Sequence, residues 1–135
     1  MRRFMDGDPQ QFWKNENLYA SVKPFHNSQK VLEILNNSYD IRFYSDSHPE
    51  HRLSKLRWID NHYPYHCGLN HVIAEEKPLY AGDVWVEDRT DTVESLTQSQ
   101  PGATIFHMVN DINRKSIVFG AIRVDNWTEI GRHLV

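Results

Sequence analysis

Gly82-Asp83-Val84-Trp85-Val86-Glu87-Asp88-Arg89 is the stretch on which the fold turns. Val84, Trp85 and Val86 form an unbroken apolar run between a Gly-Asp turn signal and an acidic pair. A strand buried on both faces of a parallel sheet reads this way. The acidic pair then falls where the chain leaves the carboxyl end of that strand, and open α/β sheets bind their ligands at such exits.

Working outward, the downstream sequence predicts a helix over 91–98, a turn at Pro101-Gly102, a strand over 104–108, and a closing helix capped by Asn126 that carries Trp127, Ile130 and Leu134. Upstream, short strands are expected at 71–74 and 41–45. Between them Pro49 opens a helix whose Leu53, Leu56, Ile59 and Tyr63 recur at spacings of three and four, as an apolar stripe does. A first helix, with Ser28 as N-cap, runs through Val31, Leu32, Ile34 and Leu35 and ends in Asn36-Asn37-Ser38. Residues 1–25 read as an irregular segment with Phe12 and Trp13 as anchors, and residues 26–135 as the core. Strands alternating with helices define an α/β fold with a mostly parallel, open sheet between helical layers.

With 135 residues, 39% of them hydrophobic, the chain suits one domain with its own core. A net charge of −3 gives no basic face for nucleic acid or an anionic membrane, while a small anionic ligand needs only local cations. Cys67 is the single cysteine and cannot form an internal disulfide. No apolar run approaches the roughly 20 residues of a membrane span, and Asp6 to Gln11 is polar where a secretory leader would be apolar. A cytoplasmic setting is the expectation.

The strand-exit rule selects Ser45-Asp46, Glu75 to Lys77 and Glu87 to Arg89. A hydroxyl, a lysine and an acidic pair suit a phosphate-and-metal site: Ser45 as donor to a phosphoryl oxygen, Lys77 as its counter-charge, Glu87 and Asp88 as hard oxygen ligands for Mg²⁺. Taken singly, each has a blander use as turn residue, surface lysine or helix cap.

Four segments in order carry a family resemblance: Ile41-Arg42-Phe43-Tyr44-Ser45-Asp46, Lys55-Leu56-Arg57-Trp58-Ile59, Ala74-Glu75-Glu76-Lys77, and the segment from Gly82 to Arg89. Together with Asp125-Asn126-Trp127 they resemble the 5′(3′)-deoxyribonucleotidases of the haloacid-dehalogenase-like phosphatase superfamily, over roughly residues 10 to 134. The resemblance implies a Rossmann-like, three-layer fold and a Mg²⁺-dependent phosphatase of deoxynucleoside monophosphates or another small phosphorylated ligand, acting through an aspartyl phosphate. It also implies phosphate contacts from Ser45, Asp46 and Lys77, with Ser45 and Lys77 in catalysis and metal coordination at Asp88 and Glu87. Glu87 stands where the family usually has Asp.

The family's first motif, Asp-x-Asp-Gly after a central strand, has one counterpart here, Asp6-Gly7-Asp8. The strand before it would be Met1 to Met5, with two arginines that a doubly covered sheet tolerates poorly, and Pro9 follows where the motif has Gly. The expectation is therefore a sheet incomplete at its central strand, repaired by an N-terminal partner chain or a homodimer, since open edges recruit strands. An alternative is an inactive scaffold that binds a nucleotide or a protein. Two further patterns stand in the sequence. His48 with His51, and His62 with His66 and Cys67, have spacings compatible with zinc, but no Cys-x-x-Cys pair supports them. Trp13, Tyr19, Phe25 and Tyr44 are candidates to stack on a base, though core packing is the commoner use of such rings.

Overall fold

The computed structural model describes residues 23–135. Contacts divide the chain into two compact units, Met1–His71 and Val72–Val135.

In the first unit, helix α1 (Ser28–Leu35) is followed by strand β1 (Arg42–Ser45), a 3-10 turn (Pro49–His51), helix α2 (Arg52–His62) and strand β2 (Gly68–His71). β1 and β2 pair in parallel with Ser45 opposite His71. The N-cap of α1 is Asn27, held at φ 63°, and not Ser28. Ser28 begins the helix, and its buried hydroxyl bonds the Tyr63 phenol at 2.7 Å. Asparagine tolerates the left-handed region better than most residues, so it takes the turn and frees the serine for packing.

Half of the expected stripe faces inward: Ile59 and Tyr63 are buried, while Leu53 and Leu56 are exposed. Within α2 itself Ser54, Trp58 and Ile59 are the buried residues, whereas Leu53 is 57% exposed. Trp58 is the largest apolar side chain of the helix, and packing it sets the inward face; its ring meets those of His62 and Tyr63 at 4.7 and 5.8 Å. β2 lies earlier than residues 71–74. The amide of Cys67 already donates to the Ile41 carbonyl at 2.7 Å, which starts the parallel pairing before Val72 is reached.

The second unit opens with a 3-10 segment (Ala74–Leu79), then strand β3 (Val84–Glu87), helix α3 (Thr90–Ser99), strand β4 (Thr104–Met108), strand β5 (Ile122–Val124) and helix α4 (Trp127–Leu134). β3, β4 and β5 form a parallel sheet in that order. β5 was not foreseen, because Ile122-Arg123-Val124 is too short to show a period. Burial along β3 alternates: Trp85 and Glu87 are buried, Val84 and Val86 only partly. The buried set thus includes a carboxylate, which must be paired. Val93 and Leu96 of α3, Ile105 and Phe106 of β4, and Ile130 of α4 are almost fully buried. Asn126 caps α4 as expected, accepting from the Glu129 amide at 3.0 Å.

Both units have the parallel α/β character expected of a Rossmann-like fold. Among the described residues, β1 pairs on one side only, with β2, and β3 on one side only, with β4. No helix among these residues is long and apolar enough to cross a membrane.

Candidate active site

The second unit gathers the denser polar cluster. Lys77, from the 3-10 segment before β3, and Glu87, the last residue of β3, are both buried, and Lys77 Nζ donates to Glu87 Oε2 at 3.1 Å. The other carboxylate oxygen, Oε1, accepts from the amides of Asp88 and Arg89 at 3.1 and 3.3 Å. Glu87 is therefore committed at both oxygens. Such commitment is what permits a charge to stay buried.

Asp88 follows at the exit of the strand. Its Oδ2 accepts from Asn110 Nδ2 at 3.2 Å, and its backbone carbonyl accepts from Asn113 Nδ2 at 2.7 Å. Asn113 is buried and also donates to the Met108 carbonyl at 2.9 Å. The same amide nitrogen lies 3.2 Å from His107 Nε2. Burial, with a smaller contribution from the Arg123 charge, lowers the His107 pKa below the usual 6.5, against the opposing pull of the Asp88 carbonyl and the Asp88 and Glu87 carboxylates. The ring is thus held neutral and can accept the amide proton.

In the first unit, Ser45 ends β1 with its hydroxyl buried. Lys55 Nζ, one α2 turn in, donates to Ser45 Oγ at 2.6 Å, and Ser47 Oγ lies 2.5 Å from it. His71, opposite Ser45 on β2, has its pKa lowered by burial first and then by the positive charges of Arg52 and Lys55. This strand end carries cations and hydroxyls, as an anion site requires. Asp46 follows Ser45 directly in the sequence. Asp6 and Asp8 lie outside the described residues.

Among the described residues, no group of three or more His, Cys, Asp or Glu side chains is placed to hold a metal. Two of the histidines with zinc-compatible spacing have other partners: His62 Nδ1 bonds the Trp58 carbonyl at 2.7 Å, and His66 Nε2 bonds Asp60 at 2.7 Å. Mg²⁺ asks less of a protein, since one or two carboxylates, with waters and substrate phosphate, complete its shell. The hard carboxylate of Asp88 fits that demand, while Glu87 is spent on Lys77 and two amides.

Sequence reasoning missed Asn110, Asn113 and His107, and passed over Lys55 except as part of a motif. The strand-exit rule that selected Glu87 and Asp88 applies equally to β4, and Asn110 and Asn113 stand just past its end.

The described residues thus form a parallel α/β chain with a buried lysine–carboxylate pair in its second unit and a buried hydroxyl at a strand end in its first. Comparison makes the class specific: the chain belongs to the family described as 5′ nucleotidase, deoxy (pyrimidine), cytosolic type C, whose model matches residues 8–135. It is similar to the 5′(3′)-deoxyribonucleotidases of Bacillus subtilis (strain 168) and of Bacillus phage SPbeta, each 25% identical over 120 residues. These matches cover 87% of this chain and 66% of either relative, so the chain spans just under two thirds of their length.

Proposed function

We propose that the chain carries out Mg²⁺-dependent hydrolysis of deoxynucleoside monophosphates. The observation that carries this reading is the Lys77–Glu87–Asp88 cluster at the β3 exit, in a chain whose family model is a deoxynucleotidase. When bound, Mg²⁺ would offset phosphoryl charge. Asp88 would hold it, and Glu87 acts mainly as the counter-ion that fixes Lys77. Lys77 neutralises phosphoryl charge; in the first unit Ser45, kept in place by Lys55, is a hydroxyl donor suited to an anion.

In this reaction a carboxylate attacks phosphorus, the bond to the nucleoside oxygen breaks, and the alcohol leaves with a proton. Water then hydrolyses the acyl phosphate to release inorganic phosphate and regenerate the carboxylate. Asp6, with Asp8 as proton donor, is one source of that nucleophile; a partner chain or a second copy that pairs with β1 or β3 on the side left unpaired among the described residues is another. A cytosolic setting accords with the family's description.

Phosphate release from a panel of deoxynucleoside monophosphates, with Mg²⁺ and with chelator, tests the reading. Asp88→Asn should lower the rate about a thousandfold, the order expected for losing several kcal/mol of metal-assisted stabilisation. Turnover indifferent to both chelator and Asp88→Asn would refute it. Loss of activity in Asp6→Asn locates the nucleophile in this chain, whereas activity that appears only on mixing with a separately made N-terminal segment locates it in a partner.

A further inference from the structure

We infer that Asn110 and Asn113 are positioning residues for Asp88, and that the turn they form sets the metal affinity of the site. The inference rests on the reading of Asp88 as a metal ligand. The turn follows β4, and it grips Asp88 at two points: Asn110 Nδ2 on the carboxylate at 3.2 Å and Asn113 Nδ2 on the backbone carbonyl at 2.7 Å.

The partners fix how both amides are turned. Asn110 Oδ1 faces two donors, the amides of Ile112 and Asn113 at 2.9 and 2.8 Å, so its nitrogen is the end that meets Asp88. Asn113 Oδ1 accepts from the Asn110 amide at 2.7 Å, which leaves its nitrogen among the carbonyls of Asp88 and Met108 and the ring of His107. A primary amide has two N–H donors, and three acceptors surround this one. Asn113 is thus saturated and buried, with no capacity left for a ligand.

Neither asparagine needs to touch substrate for this role. An amide donor on one oxygen of a carboxylate leaves the other lone pairs for a cation and fixes the plane of the group. Asn113 fixes the backbone from which that carboxylate projects. Outer-shell partners of this kind typically change metal affinity about 10–100-fold when removed.

Mn²⁺ binding to the full chain, measured by calorimetry in wild type, Asn110→Ala, Asn113→Ala and Asp88→Asn, tests the inference. Asn110→Ala should stay folded, bind Mn²⁺ about tenfold or more weakly, and regain turnover when excess metal is supplied, which a merely structural defect would not allow. Asn113→Ala should bind still more weakly. If burying two unpaired carbonyls unfolds it, Asn110→Ala alone decides. Wild-type Mn²⁺ affinity in folded Asn110→Ala, with binding lost in Asp88→Asn, would overturn the positioning role and leave the metal reading standing. Unchanged binding in Asp88→Asn would sink the metal reading and this inference together.

Discussion

The exit of β1 and the exit of β3 carry similar chemistry and are built differently. At β1 the Ser45 hydroxyl has two partners, Lys55 and Ser47, both of them side chains. At β3 Glu87 is tied to Lys77 and to two backbone amides, and Asp88 to two asparagines of the next strand's turn. The difference follows from charge. A neutral hydroxyl costs little to bury with one or two bonds, whereas a buried carboxylate must have its lone pairs answered or it will not stay ionised. The β3 exit is therefore rigid, and its parts are not interchangeable.

The largest expected effect on stability tests that asymmetry. Glu87→Gln takes from buried Lys77 the carboxylate bonded to it and also brings an NH₂ against either Lys77 Nζ or the amides of Asp88 and Arg89, all of them donors. Breaking a buried ion pair from one side costs roughly 3–5 kcal/mol. Lys77→Met should cost less, because Glu87 keeps its two amide donors. Urea denaturation of both variants gives the order directly. Equal losses would mean that the backbone amides contribute nothing to holding the carboxylate, and the contrast between the two exits would collapse.

At the β1 exit the expected changes are smaller. Ser45→Ala removes one hydroxyl and should cost about 1 kcal/mol of stability, with kcat/KM for a deoxynucleotide falling about tenfold or somewhat more. Lys55→Met should reduce turnover while Ser47 keeps the serine hydroxyl bonded. Steady-state kinetics at saturating Mg²⁺ separates these variants from those of the β3 exit, whose defects should depend on metal. A Ser45→Ala enzyme with wild-type kinetics would remove Ser45 from the phosphate site.

The sequence made the parallel α/β class legible because it was written in long-range pattern: the Val84–Val86 run, the strand at 104–108 and the capped closing helix. It misled where one residue outweighed a pattern. The Leu53 and Leu56 spacing gave way to Trp58, and Ser28 yielded the cap to Asn27. β2 was misplaced because Gly68-Leu69-Asn70-His71 has little strand propensity and is held in extended form by pairing with β1. Lys77, Glu87 and Asp88 could be named from strand-exit logic, but which carboxylate answers the lysine could not. That depends on burial, and alternation along β3 turns Glu87 inward with Trp85. The asparagines were invisible for another reason. Asn-rich turns are common, and only the folded register of β3 beside β4, Glu87 opposite His107, brings this one to Asp88.

The subtlest effect concerns His107, which stands opposite Glu87 at the β3 exit as His71 stands opposite Ser45 at the β1 exit, and which also meets the Asn113 amide. Its pKa is lowered on folding, chiefly by burial and secondarily by Arg123. Above the unfolded value near 6.5 the ring is neutral in both states and has no effect on stability. As pH falls through 6.5 the unfolded chain binds a proton that the folded chain refuses, so stability declines until the lower folded pKa is reached. The thermal midpoint should therefore drop between pH 7.5 and pH 5.5, and His107→Gln should flatten that part of the profile, because a glutamine can accept from Asn113 without titrating. Protonation would also remove the acceptor at Nε2 and turn a donor toward Asn113 Nδ2, loosening the amide that grips Asp88. Mn²⁺ affinity of the wild type should consequently fall more steeply with acid than that of His107→Gln. Parallel acid profiles for the two proteins would show that the ring and the metal site are not coupled.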